Sequence, residues 1–205
     1  MITLHHLNKS RSKRIIWLLE ELGVDYQIKP YLRDSVSFLA PPELKSIHPL
    51  GKSPVIEDDG IIISESGAIT DYLIEKYGQG KLAPQRGSRA YVEYSQWLHF
   101  AEGSAMLPLL MKMFVAKDGC ETNFLAGYAD AETAKILTYF DQSLAGKTYL
   151  VDEQLTGADI MMSMIVEMLA NNGAIEAFGN IKRYAKQLAS HEAFQKADQV
   201  EATYA

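Results

Sequence analysis

The sequence predicts an α/β domain followed by an all-α one. Three observations carry this reading. Short apolar runs alternate with amphipathic helical periodicity through the first third of the chain, and beyond about residue 86 the strand signals stop and long helical periodicities dominate. Between the two, Gly78-Gln79-Gly80-Lys81-Leu82-Ala83-Pro84 breaks the composition as a linker does. The predicted boundaries are 1–78 for the α/β domain, 79–85 for the linker and 86–205 for the helical bundle.

Taken in order, Ile2-Thr3-Leu4 opens a strand near 2–7. A helix near 11–22 follows, with Ile15, Leu18, Leu19 and Leu22 at helical spacing. Gly23 ends it, because a helix commonly closes on a residue of positive φ. A strand near 25–31 and a short helix after Pro41-Pro42 come next. Pro54 then opens a strand at Val55-Ile56-Glu57. A proline there fits an edge, a strand's first residue or a cis bond in a tight turn. Asp58-Asp59-Gly60 is a hairpin turn, and Ile61-Ile62-Ile63 is expected to return as a second buried strand. Ser64-Glu65-Ser66 supplies cap-forming groups before a helix near 66–77. The order βαβαββα fits a small thioredoxin-like layer. In the helical part, Thr156 and Asp159 form a predicted capping box, with Leu155 stapled onto Ile160.

Composition removes several function classes. The chain has 205 residues, 47% hydrophobic and 22% charged, an ordinary balance for a folded globular protein. A net charge of −6 argues against a nucleic-acid surface, which needs a basic stripe. Nothing approaches the ~18 apolar residues of a membrane span, and no leader is legible at the N-terminus. One cysteine, Cys120, excludes an internal disulfide and points to a reducing, cytoplasmic setting. His5-His6 point to opposite faces of a strand and lack the spacing of paired metal ligands, so no metal is expected. Gly51-Lys52-Ser53 mimics a phosphate loop, but that motif needs Gly where Ser46 stands and a helix where Pro54 begins a strand.

The most informative stretch runs from His48 to Leu73. The edge before Pro54 offers backbone to an extended peptide, and the helix starting at Glu65-Ser66-Gly67 offers N–H groups to a carboxylate. Together they read as a site for a small zwitterionic peptide. Pro49-Leu50-Gly51-Lys52-Ser53-Pro54 followed by Glu65-Ser66-Gly67-Ala68-Ile69 resembles the glutathione transferase family. That family carries Pro-x-Gly-Lys-Val-Pro with a cis proline, then Glu-Ser-x-Ala-Ile at a helix start. Ser53 stands where Val is commoner, and His48 where many members carry Asn.

The resemblance implies glutathione as cosubstrate, no bound cofactor, and a site made of Ser10, Lys52, Ser53, Glu65 and Ser66. Ser10 is the catalytic candidate: it precedes the first helix and stands four residues ahead of Arg14, as in serine-type members. Its hydroxyl would donate to the sulfur and favour the thiolate, with the helix N-terminus adding potential of the same sense. Read without the family, Ser10 is a helix cap; Ser12 is its competitor. Ser53 would pair through its backbone with the cysteinyl part, across a cis Ser53–Pro54 bond. Glu65 and Ser66 would take the γ-glutamyl end and Lys52 the glycyl carboxylate, with Arg33 a further candidate.

Arg11, Lys13 and Arg14 crowd the positive end of the first helix, with Glu20 and Glu21 at its negative end. This opposes the helix dipole and suggests a positive mouth for a thiolate, or else a solvated charged face; Arg14 alone reads equally as an internal pair. The Met-rich segment Met106–Phe114 reads as part of an electrophile pocket or as ordinary core, with Glu102 just before it. Cys120 is far from Ser10 in sequence, which argues against a thiol mechanism. The implied protein is a cytoplasmic homodimeric transferase of detoxification type, conjugating glutathione to a small apolar electrophile. Its dimer face would include Tyr91, Tyr94, Trp97 and Phe100. The rivals are a glutathione-dependent peroxidase, isomerase or disulfide reductase, and a non-catalytic glutathione-binding module.

Overall fold

A computed structural model describes residues 1–204. The chain forms two compact units, Met1–Ala83 together with Ala189–Ala205, and Pro84–Leu188. This divides the chain differently from the sequence boundaries, because the last helix joins the first unit.

In the first unit four strands form one mixed sheet: β1 (Ile2–Leu7), β2 (Tyr26–Tyr31), β3 (Val55–Asp58) and β4 (Ile61–Ser64), in the order β2-β1-β3-β4. β1 runs parallel to β2, while β1–β3 and β3–β4 are antiparallel. Three helices belong to the predicted layer: α1 (Ser12–Leu22), the short α2 (Leu44–Ile47) and α3 (Ser66–Tyr77). α1 buries Ile15, Leu18 and Leu19 as its stripe requires, but also Ile16 and Trp17. The extra face is covered by α9 (Glu192–Thr203), where Trp17 meets Phe194 edge-on at 5.0 Å between ring centroids.

The hairpin turn has Asp59 at φ 48° and Gly60 at φ 79°, the two positive values that a tight turn of matching twist requires. Asp58 anchors it: its buried carboxylate accepts from Tyr72, Lys76 and Tyr77 of α3 at 2.7–2.9 Å. Those donors hold the Asp58 carboxyl below its ordinary value against the opposing effect of burial. β4 departs from expectation. Ile61 and Ile62 are half-exposed, because β4 is the sheet's edge strand.

The second unit contains α4 (Arg89–Phe100), a π-helical turn at Ala101–Ala105, α5 (Met106–Asp118), α6 (Leu125–Ser143), α7 (Gly157–Asn171) and most of α8 (Gly179–Ala189). Ser88 caps α4 by accepting from Tyr91 N–H at 3.1 Å. At the start of α7 the predicted capping box forms. Tyr94 and Trp97 are buried, with Trp97 stacked on Tyr139 at 5.7 Å and tilted against Phe140 at 5.9 Å. They are core residues and therefore unavailable to a dimer face.

Candidate active site

Sheet register brings the predicted site together at one end of the first unit. β1 ends at Leu7, three residues before Ser10. β3 begins at Val55, one residue after Pro54, and Val55 pairs with Ser64 at the end of β4. The end of β1, the start of β3 and the end of β4 therefore share one edge, and Ser10, Ser53-Pro54 and Glu65-Ser66 extend from it.

The Ser53–Pro54 peptide bond is cis. Pro54 has no N–H to give the β1–β3 ladder, and the Ser53 hydroxyl takes over. It donates to His5 O at 2.8 Å and accepts from Leu7 N–H at 3.2 Å. Sequence reasoning assigned Ser53 a backbone role alone; a side-chain role where valine is commoner was the signal available. His48, to which no role was given, reaches Ser64 Oγ at 3.3 Å and ties the turn before β3 to the end of β4.

Ser10 follows Lys9, whose φ of 52° turns the chain sharply from strand into helix. Ser10 is buried, and its Oγ accepts from Ser12 N–H at 3.2 Å, so it caps α1 while lying at the strand-to-helix junction. Ser12 is fully buried, with its hydroxyl 2.8 Å from Ser10 Oγ, 2.8 Å from His6 Nδ1 and 3.2 Å from Leu7 O.

Glu65 occupies the N-cap position of α3 at φ 69°, ψ 115°, and its side chain makes no cap bond. Such a backbone costs a non-glycine residue about 1–3 kcal/mol, and strain of this kind concentrates at ligand sites. The capping role expected of Glu65 is absent, and its carboxylate is exposed. Ser66 opens the helix and is buried; Lys52 is exposed.

The positive mouth is not what the sequence suggested. Arg14 is buried. Lys13 pairs with Asp198 and lies 5.0 Å from the Phe194 ring centroid, while Glu20 pairs with Lys196. α9 thus carries the complementary charges that make α1's reversed pattern tolerable, a match visible only once the two helices are docked. Arg33 is likewise occupied: its Nε donates to Asn8 O at 3.1 Å and its Nη1 to Phe38 O at 3.0 Å. It clamps the loop after β2, and burial with neighbouring Arg11 lowers its pKa.

Comparison with known proteins fits this geometry. The sequence model of the glutathione S-transferase N-terminal domain matches residues 1–75, and that of the C-terminal domain matches residues 105–192. Glutathione S-transferase 3 of Schizosaccharomyces pombe is 35% identical over 94% of this chain and 85% of its own. The chain belongs to the glutathione S-transferase family. Within it, glutathione S-transferase 1 of Saccharomyces cerevisiae is 31% identical over 95% of this chain and 92% of its own. A crystallised glutathione S-transferase from Actinobacillus pleuropneumoniae is 36% identical, with a TM-score of 0.89 over 98% of this chain and 93% of that one.

Cys120 is unsuited to thiolate chemistry. It is exposed in the second unit, and its thiol donates to Asp118 at 2.8 Å, which pushes its pKa up and disfavours the thiolate. The second unit holds a groove of about 480 Å³ between α5 and α6. Leu107, Pro108 and Met111 form one wall, and Tyr128, Ile136 and Tyr139 the other. Of the Met-rich segment, Met106 and Pro108 are buried, whereas Leu107, Met113 and Phe114 are about half-exposed. No helix among the described residues is long and apolar enough to cross a membrane.

Proposed function

We propose that this protein activates the thiol of glutathione as a thiolate at Ser10 and conjugates it to a small apolar electrophile. The observation carrying this reading is the shared sheet end: Ser10, the cis Ser53–Pro54 turn and the strained Glu65-Ser66 helix start all extend from it. Glutathione lies along the edge beside Ser53, whose hydroxyl finishes the ladder and leaves its own backbone N–H and C=O outside it. Glu65 takes the ammonium, the Ser66 hydroxyl and N–H take the neighbouring carboxylate, and Lys52 meets the glycyl end. The Ser10 hydroxyl donates to the sulfur, and the first N–H groups of α1 add positive potential. Lowering the thiol pKa by two units requires a preference for the charged form of about 2.7 kcal/mol. No cofactor enters the scheme, because glutathione supplies the nucleophile. Apolar surface of the second unit, including the segment around Met111, receives the electrophile.

The test is calorimetric titration with glutathione beside turnover assays across several electrophile classes. Binding with no turnover would replace this reading with a non-catalytic glutathione-binding module. Turnover confined to peroxides or disulfides would replace conjugation with reduction. Glu65→Ala should weaken glutathione binding about tenfold or more while kcat at saturation falls less, since its carboxylate contributes to ground state and transition state alike. Unchanged glutathione affinity in that variant would remove Glu65 from the site.

The protein is further proposed to act in the cytoplasm, in detoxification, as a homodimer. Edge strand β4 with half-exposed Ile61 and Ile62, and exposed Leu50, support a face between copies. Sedimentation at micromolar concentration should give twice the chain mass of 22.9 kDa; a single-chain mass would end the dimer proposal.

A further inference from the structure

The turn that presents Ser10 is held from the far end of the chain. β1 ends at Leu7 and α1 begins at Ser12, so Asn8, Lys9 and Ser10 belong to neither, and their backbone groups need other partners. Asn8 finds them at the end of β2 and just beyond it. Its N–H donates to Tyr31 O at 3.2 Å, its side-chain oxygen accepts Arg33 N–H at 2.9 Å, and its carbonyl accepts Arg33 Nε–H at 3.1 Å. Lys9 sits at φ 52°, a left-handed conformation that residues with a Cβ adopt at a cost. Its N–H donates to Glu201 Oε1 at 2.8 Å.

The packing of α9 fixes where that carboxylate stands. Phe194, Asp198 and Glu201 recur at helical spacing on one face of α9. That face is docked on α1, with Phe194 edge-on to Trp17 and Asp198 paired with Lys13. The Glu201 side chain is 16% exposed, and its second oxygen lies 3.2 Å from His6 Nε2 with no hydrogen bond between them. Burial pushes His6 down to about 4, so the ring is neutral near pH 7 and forms no ion pair with Glu201. A hydrogen bond to a carboxylate is shorter and stronger than one between neutral groups. Here it falls on the N–H of the strained residue immediately before Ser10.

We propose that Glu201 positions Ser10 for the sulfur, by holding the Lys9 N–H and so keeping Lys9 in the left-handed turn. Each residue of the turn then has its own anchor. Asn8 is held by Arg33, Lys9 by Glu201, and Ser10 by its bond from Ser12 N–H at 3.2 Å. Without Glu201 the middle anchor is lost and Lys9 can relax toward negative φ. Rotation at Lys9 displaces the next residue, Ser10, from the place where its hydroxyl meets the sulfur. Misplacing a reacting partner lowers the chemical rate even when every catalytic group is still present. Glutathione binding should change little, because Lys52, Glu65 and Ser66 hold the ends of the peptide and lie on other elements. Glu201 acts through Lys9 and is a positioning residue; the inference rests on the reading of Ser10 given above.

The experiment uses reduced glutathione with an activated chloronitroarene. Glu201→Ala should lower kcat about tenfold, leave KM for glutathione within about twofold, and raise the pKa of the bound thiol by about half a unit, read from thiolate absorbance. Glu201→Gln keeps an acceptor oxygen for Lys9 and should recover kcat to within about threefold of wild type. A Gln variant as slow as Glu201→Ala would overturn the anchor. Asp198→Ala removes an ion pair from the same face of α9 without touching the turn, and it should leave kcat unchanged. Equal losses of kcat in Asp198→Ala and Glu201→Ala would make Glu201 a docking contact and overturn the proposal. Hydrogen exchange at the Lys9 amide should be slow in the wild type and fast in Glu201→Ala, with the interior of α1 protected in both. A fast-exchanging Lys9 amide in the wild type would overturn the proposal even where Glu201→Ala fails to fold. If Glu201→Ala keeps kcat and thiol pKa while Ser10→Ala loses both, Ser10 stands and the positioning role falls. If Ser10→Ala is also silent, the reading of Ser10 falls and this inference falls with it.

Discussion

Ser10→Ala should lower kcat by tens of fold while glutathione affinity changes less than about threefold. The hydroxyl interacts with the sulfur chiefly when that atom is charged, whereas Lys52, Glu65 and Ser66 hold the ends of the peptide whatever its protonation state. An interaction made only with the reactive form raises the chemical rate without adding ground-state binding. Removing one donor from a preorganised site commonly costs on the order of a hundredfold. The loss here should be smaller, because the N–H groups at the start of α1 remain. The bound thiol's pKa should rise in parallel. Ser10 also caps α1, accepting from Ser12 N–H, so a melting curve must accompany the kinetics; losing a cap typically costs about 1 kcal/mol. Wild-type turnover in Ser10→Ala, with turnover abolished in Ser12→Ala, would show that the wrong serine carries the sulfur.

Asp159→Ala should be the most destabilising single change considered. Asp159 is fully buried and accepts from Leu150 N–H at 3.0 Å, Thr156 N–H at 2.8 Å, Thr156 Oγ1 at 2.9 Å and Tyr184 Oη at 2.7 Å. Burial pushes its carboxyl pKa up, and these donors oppose the shift. Truncation leaves buried donors on Leu150, Thr156 and Tyr184 without their acceptor, at about 1–3 kcal/mol each, so the total should reach roughly 3–5 kcal/mol. For a chain of this size that is a fall in melting temperature on the order of 10 °C. Asp159→Asn, which keeps one acceptor oxygen, should lie between wild type and Asp159→Ala. A loss below about 1 kcal/mol in Asp159→Ala would mean that water or a rearranged Thr156 satisfies those donors.

The first domain was legible because its elements are specified locally. The α1 stripe, Gly23 at the helix end, the Asp59-Gly60 turn and Pro54 at the start of β3 each act within a few residues, and the family motif places Ser10, Ser53, Glu65 and Ser66 on that frame. The errors share a different cause. Ile61 and Ile62 looked like buried strand residues, but an apolar run does not say whether its strand is central or an edge. Tyr94 and Trp97 looked like an interface, but helical periodicity does not tell an internal face from an external one.

The sequence by itself determined the element order of the first domain and the capping box at Thr156 and Asp159, both properties of short segments, while the cis turn at Pro54 and the choice of Ser10 over Ser12 came with the family resemblance. Tertiary structure decided what those segments meet. Docking α9 onto α1 turned an apparent basic mouth into paired charges, Lys13 with Asp198 and Glu20 with Lys196. It also delivered Glu201 to Lys9 N–H, at the turn that presents Ser10. No local rule relates residue 201 to residue 10, because side-chain contacts between distant segments are set by how whole helices and strands pack, and that packing exists only in the folded chain.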